Sequence, residues 1–155
     1  MATGTVKWFE QALLKIGNKL YTLSTDSLKM GIVTTAVVPT KATANPHWGG
    51  TGTTNFATSQ VATATAYVGP ITLAGVSWTT VAGAQVLKFN DISIAQDAAG
   101  FTNGAYGIIY DDTDANKRCL GFVEISAAGT ASLVSNPLTL SWSSVSQVVL
   151  SILQS

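Results

Sequence analysis

The sequence predicts an all-β chain, an antiparallel β-sandwich of jelly-roll-like type, with one helix near the N-terminus. Short segments rich in Thr, Val, Ile and aromatic residues follow one another, and turn-forming residues separate them. Strands and helices do not alternate, which disfavours a parallel sheet. The length of 155 residues fits one domain with its own core. We therefore predict one folded unit, with an N-terminal helical segment or arm in residues 1–25 and a β-sandwich domain in residues 26–155.

The helix is predicted over residues 5–20. Its apolar side chains recur at intervals of four, three and four residues, which places them in one stripe on a helix. They are Phe9, Leu13, Ile16 and Leu20. Gly17 and Asn18 weaken its last turn and favour an end there. The stripe either packs on the core of the same domain or docks on a neighbouring molecule.

The β segments follow in order. Residues 28–32 alternate in the manner of a half-buried strand. Residues 39–59 hold prolines, glycines and asparagines without periodicity, and we predict a long loop of the kind that often carries function. Residues 145–153 combine helical spacing with β-branched side chains, and we predict a final strand there. The other predicted strands are residues 61–68, 71–81, 85–94, 106–110, 119–126 and 138–142.

The charge content excludes several classes of protein. Only 10% of the residues are charged, against about 25% in an average soluble protein. The eight basic and eight acidic residues balance, so the basic surplus that a nucleic-acid-binding protein needs is absent. No apolar run approaches the ~18–20 residues that span a bilayer, and no signal-peptide layout opens the chain. We predict no nucleic-acid partner, no membrane partner and synthesis in a cytoplasm.

The same low charge favours contact with other proteins. Near-zero net charge reduces the solubility of a free monomer, whereas the cores of protein interfaces are depleted in charged residues. The candidate interface residues lie in the helical segment and in the long loop. They are Trp8, Phe9, Leu13, Pro46, His47 and Trp48.

Catalytic chemistry is poorly represented in the sequence. His47 is the only histidine, Cys119 is the only cysteine, and no Gly-x-Ser-x-Gly elbow accompanies them. The glycines of residues 49–52 lack the Lys-Ser/Thr ending of a phosphate-binding loop. We predict that the protein is not an enzyme, and we assign no catalytic residue and no cofactor.

One acidic segment resembles a metal-binding loop. Asp112, Asp114 and Asn116 have the spacing that opens a calcium loop. Lys117 stands where that loop needs glycine, and Val123 stands where it needs glutamate. We therefore predict a turn between two strands and no metal site, with a cation at these three side chains as the alternative.

Three stretches carry a resemblance to a known group of proteins. Residues 26–34, Asp-Ser-Leu-Lys-Met-Gly-Ile-Val-Thr, fit its pattern Asp-x-apolar-Lys-apolar-x-apolar-apolar-Thr. Residues 106–113, with the turn to residues 120–123, are similar to its aromatic hairpin, and Leu-Thr-Leu-Ser-Trp at residues 138–142 is similar to its closing strand. On these stretches the sequence resembles small virion proteins of tailed bacteriophages, loosely over residues 9–153.

The resemblance implies a β-rich structural protein without catalytic residues. The expected function is that of a capsid cement or decoration protein, bridging subunits of the head. The expected partners are the major capsid protein and further copies of this chain in a dimer or trimer, and the expected location is the virion. The alternative is a tail or head–tail module that binds host glycans through Trp and Asn side chains.

Overall fold

A computed structural model describes residues 2–3, 5–142 and 148–153, which form antiparallel sheets and one α-helix. The helix α1 (Glu10–Gly17) lies near the N-terminus, and a short 3₁₀ helix, η1 (Phe56–Ser59), lies in the long loop. The strands are β1 (Ala2–Thr3), β2 (Lys7–Trp8), β3 (Leu28–Val33), β4 (Pro46–His47), β5 (Thr54–Asn55), β6 (Ile71–Thr72), β7 (Ser77–Val81), β8 (Ala84–Lys88), β9 (Ile92–Ile94), β10 (Tyr106–Asp111), β11 (Cys119–Glu124), β12 (Leu138–Ser141) and β13 (Val148–Leu153). Neither helix is long and apolar enough to cross a membrane.

The largest sheet has five antiparallel strands in the order β2-β11-β10-β3-β6. All six residues of β10 are buried, because β3 and β11 flank the strand and other elements cover both faces. Two three-stranded sheets, β1-β12-β9 and β13-β8-β7, and the pair β4-β5 complete the described strands. The predicted antiparallel β class is confirmed, and the two-residue pairs β1-β12 and β4-β5 are the parallel exceptions among these strands.

One hydrophobic core joins the N-terminal segment to the strands. Phe9 is fully buried, and its ring lies 5.3 Å from that of Phe122 and 6.0 Å from that of Phe56, measured between centroids. Ala12 of α1 and Leu140 of β12 belong to the same core. The helix therefore packs on the core of its own chain.

The helix is shorter than predicted, and only Phe9 and Ile16 of its predicted apolar stripe pack on the core. Residues 5–8 are extended, and β2 pairs with β11. The buried side chains are Phe9 and Ala12, at helical spacing of three, whereas Leu13 faces outward. The helix ends before Lys19, which has a φ of 56°. Leu20 therefore lies beyond the helix, and its side chain is exposed as well. The predicted apolar stripe was wrong for both leucines, because the pairing of β2 sets the rotation of the helix.

The strand predictions hold best where turn residues bound a short segment. Residues 106–110 and 119–126 form the hairpin β10-β11, and residues 138–142 contain β12. Residues 148–153 form β13, which confirms the predicted strand there, while residues 145–147 lie outside the described part.

Three predicted segments differ from the structure. Residues 61–68 form no strand; they lie irregularly beside β3, where the Ile32 N–H donates to the Tyr67 hydroxyl at 2.8 Å. Residues 71–81 divide into β6 and β7 around Gly75, whose φ of +66° interrupts an extended chain. Residues 85–94 divide likewise into β8 and β9.

Candidate docking surface

Helix α1 presents large apolar side chains to solvent. Leu14 is 64% exposed and Leu13 is 47% exposed, and Leu20, which follows the helix, is 46% exposed. Single exposed leucines are common on protein surfaces, but clustered ones mark sites of interaction. Leu13 and Leu14 are adjacent in the helix and therefore make this helix face the first candidate for a binding surface.

An open groove of about 640 Å³ lies beside the helix. Val6, Trp8 and Leu13 form its apolar lining, and Lys7, Glu10 and Lys41 supply charged groups. Strand β2 borders the groove and stands at one end of the five-stranded sheet as the described residues form it. We call the groove, strand β2, and the exposed side chains of Leu13 and Leu14 the N-terminal surface.

Backbone hydrogen bonds fix the orientation of this surface. Phe9 is extended, with φ of −68° and ψ of 136°, and its N–H donates to the Leu120 carbonyl at 3.0 Å. The N–H of Glu10, at the first turn of α1, donates to the Lys41 carbonyl at 3.0 Å. These contacts hold both ends of the β2–α1 connection, and the buried Phe9 ring turns Leu13 and Leu14 outward.

The predicted interface residues separate into two groups. Trp8 and Leu13 line the groove, so both can contact a partner. Phe9, Pro46, His47 and Trp48 are buried within this chain and present almost no side-chain area to a partner. Leu14 was missed because it falls outside the predicted apolar stripe.

Burial also limits which tryptophans could stack on a sugar ring. The Trp48 indole lies parallel to the Tyr110 ring, with an interplanar angle of 3° and 5.4 Å between centroids. The Trp142 indole packs edge-on against Phe89, and its Nε1–H donates to the Asn90 carbonyl at 2.9 Å. Neither indole offers an open face, so the glycan alternative loses two of its four candidate platforms.

The lone histidine and cysteine are both buried. Burial lowers the pKa of His47 from its usual value of 6.5, so its imidazole is neutral at pH 7. Burial raises the pKa of the Cys119 thiol well above its usual value, so the thiol is protonated at pH 7. Each side chain therefore acts as a packing group.

The aspartates of the β10–β11 turn face cations. The two carboxylate oxygens of Asp112 accept hydrogen bonds from Lys117 Nζ at 2.5 Å and from Lys29 Nζ at 2.7 Å. These lysines lower the pKa of Asp112. Asp114 pairs with Arg118 at 3.0 Å and accepts the Asn116 N–H at 3.2 Å. The oxygens do not converge, and the described residues contain no group of three His, Cys, Asp or Glu placed for a metal.

No protein-family model, curated protein or solved structure matches this chain. The N-terminal surface has the features of a site that binds protein, namely exposed apolar side chains with a few charged groups beside them.

Proposed function

We propose that this chain is a bacteriophage virion structural protein, a cement or decoration protein that binds the major capsid protein and stabilises the head. The observation that carries the proposal is the N-terminal surface, where exposed leucines adjoin a groove with apolar and charged lining. The charge content of 10% supports it, since few charged groups must be desolvated when such a chain is covered by neighbours. The resemblance of three stretches to tailed-phage virion proteins supplies the phage context.

The energetics of this surface suit a contact repeated around a shell. Full burial of a leucine side chain contributes about 1.5–3 kcal/mol, and the partly exposed Leu13 and Leu14 can add only a fraction of that each. Such a contact is weak alone, but linked copies raise the effective concentration and the overall avidity. The proposal therefore includes a homo-oligomer, a dimer or trimer, and a location in the virion.

The proposed arrangement of the strands is a jelly-roll-like sandwich. Its support is the common core in which Ile94 of β9 and Leu140 of β12 pack together with Ile108 of the five-stranded sheet. A layered arrangement of this kind leaves β2 and α1 at one side, accessible to a capsid subunit.

A double substitution, L13D/L14D, is expected to weaken binding to capsid shells at least tenfold, about 1.4 kcal/mol. The reason is that it places two charges at the centre of an apolar contact. Co-sedimentation with shells assembled from the major capsid protein of the encoding phage measures the affinity. Both leucines are exposed, so the melting temperature should stay near that of the wild type.

The matched control is V38D/V68D, which adds two charges at valines that are 55% and 81% exposed and lie outside the N-terminal surface. This variant should bind as the wild type does. Equal binding by L13D/L14D and the wild type, or no binding of the wild type to the shells, would contradict the proposed docking.

The cement role makes a separate prediction about the shell. Shells saturated with the wild-type chain are expected to break at a higher temperature than bare shells, because bridged subunits must separate together. Light scattering during a temperature ramp measures the breakage. If decorated and bare shells break at the same temperature, the chain binds without stabilising, and the cement role is wrong.

A further inference from the structure

A second pocket, of about 360 Å³, lies where three distant segments meet. The end of α1 contributes Lys15, the long loop contributes Asn45 and Thr51, and the β10–β11 turn contributes Asn116 and Arg118. The residues that line the pocket include no aspartate or glutamate. Its polar lining therefore consists of two cations and neutral groups.

The two cations are incompletely neutralised. Arg118 pairs with Asp114 at 3.0 Å through one nitrogen of its guanidinium group. Lys15 makes no salt bridge with any described residue, although Asp114 lies near enough to act on it electrostatically. Burial lowers the pKa of Lys15, and the positive charge of Arg118 lowers it further. One carboxylate thus serves two cations, and the pocket has a surplus of one positive charge.

The wall of the pocket is held rigidly by close backbone packing. A Cβ at Gly50 would overlap the backbone of Asn116, so only glycine lets the long loop lie against the turn at this point. A Cβ at Gly52 would overlap the His47 ring and stand 2.5 Å from the Asn45 carbonyl oxygen. A site whose walls are already packed loses little conformational entropy when a ligand binds.

We propose that this pocket binds a small oxyanion group, a phosphate or a carboxylate, between the Lys15 ammonium and the Arg118 guanidinium. A guanidinium has five N–H donors in a fixed fork, so its pairing with Asp114 leaves donors for a second acceptor. Hydrogen bonds between a cation and an oxyanion are about twice as strong as neutral ones. A bound anion also screens the repulsion between the two cations. The proposal does not depend on the proposed function in a virion.

Titration with inorganic phosphate, and separately with sodium acetate, tests this proposal at constant ionic strength against chloride. The amide signals of Thr51, Gly52 and Asn116 are followed by NMR. Saturable shifts with a Kd of about 10 mM or tighter are expected for phosphate. Equal binding of acetate assigns the site to carboxylates as well, and phosphate binding alone assigns it to tetrahedral anions.

Two variants with the same change of charge separate a specific site from general screening. Lys15→Gln is expected to weaken phosphate binding at least tenfold, whereas Lys19→Gln, at an exposed lysine four residues later, leaves it unchanged. Unfolding curves in chloride confirm that both variants are folded. Absence of saturation with both anions, or equal weakening by the two variants, would overturn the proposal.

Discussion

Replacing Gly31 with alanine is expected to lower the free energy of unfolding by about 3 kcal/mol, the upper part of the range for overpacked cores. Gly31 lies in the buried strand β3, and a Cβ there would stand closer than 3.0 Å to three carbons of the Trp48 indole. The indole cannot move aside easily, because it stacks on Tyr110 and is buried. Urea unfolding followed by tryptophan fluorescence measures the loss.

Two further variants distinguish this overlap from a general intolerance of substitution. Gly17→Ala adds a methyl group at the end of α1, where no atom lies within 4 Å, and is expected to stabilise the chain by a few tenths of a kcal/mol or more. Combining Gly31→Ala with Trp48→Ala removes the overlapping ring, so the double variant should lose less stability than the sum of the two single losses. Additive losses would show that the contact between Gly31 and Trp48 is not the cause.

Local patterns in the sequence predict the β10–β11 hairpin because all of its determinants lie close together. Its strands are short apolar segments, and Asp112, Asp114 and Asn116 between them are turn formers. The carboxylates of Asp112 and Asp114 pair with Lys117 and Arg118 of the same turn. The position of strand β3 is predictable for the same reason, since its bounding polar residues are local. The predicted half-burial was wrong, because β6 and β10 flank the strand and five of its six residues are buried. The docking face of α1 is not predictable, because Phe9 and Leu13 are equally apolar. Only the pairing of β2 with β11 decides which of them is buried.

Contacts between distant segments explain the other differences. The sequence around Trp48 is rich in Pro, Gly and polar residues and indicates an exposed loop. The Trp48 indole is buried because Gly31 has no side chain to occupy the space and because the Tyr110 ring stacks on the indole. The pocket that Lys15 and Arg118 line also depends on contacts between distant segments, because these residues meet only after α1 packs beside the β10–β11 turn. No spacing pattern in the sequence could connect those two residues.

The second large effect is expected from Asp111→Asn, which should stabilise the protein at neutral pH. Asp111 is buried at the end of β10, and its carboxyl group is hydrogen-bonded to that of Asp26. Burial, and then the negative charge of Asp26, raise the pKa of Asp111 from 3.8 to about 6. The folded chain therefore holds a proton that the unfolded chain releases, and wild-type stability falls as the pH rises from 3.8 through 6.

An asparagine at position 111 keeps the favourable contacts and removes the charge. Its Oδ1 can accept the N–H groups of Thr113 and Asp114, which lie 2.8 and 3.2 Å from Asp111 Oδ1, and its amide can donate to Asp26. At 1.36 kcal/mol for each pKa unit, the gain in unfolding free energy should be about 2–3 kcal/mol above pH 6 and near zero below pH 3.8. Comparing variant and wild type at each pH cancels the opposite contribution of His47, whose lowered pKa costs stability as the pH falls.

Asp112→Asn provides the matched control, with the same change of charge one residue along the chain. Lys117 and Lys29 lower the pKa of Asp112, so its carboxylate contributes stability that is present at neutral pH and lost in acid. This variant should lose about 1 kcal/mol at pH 7, since partly exposed salt bridges contribute modestly. Thermal unfolding from pH 3 to pH 8 compares the two variants with the wild type. The changes in unfolding free energy at neutral pH should have opposite signs for the two variants. A gain from Asp111→Asn that is the same at every pH would show that the ionisation of Asp111 is not its cause.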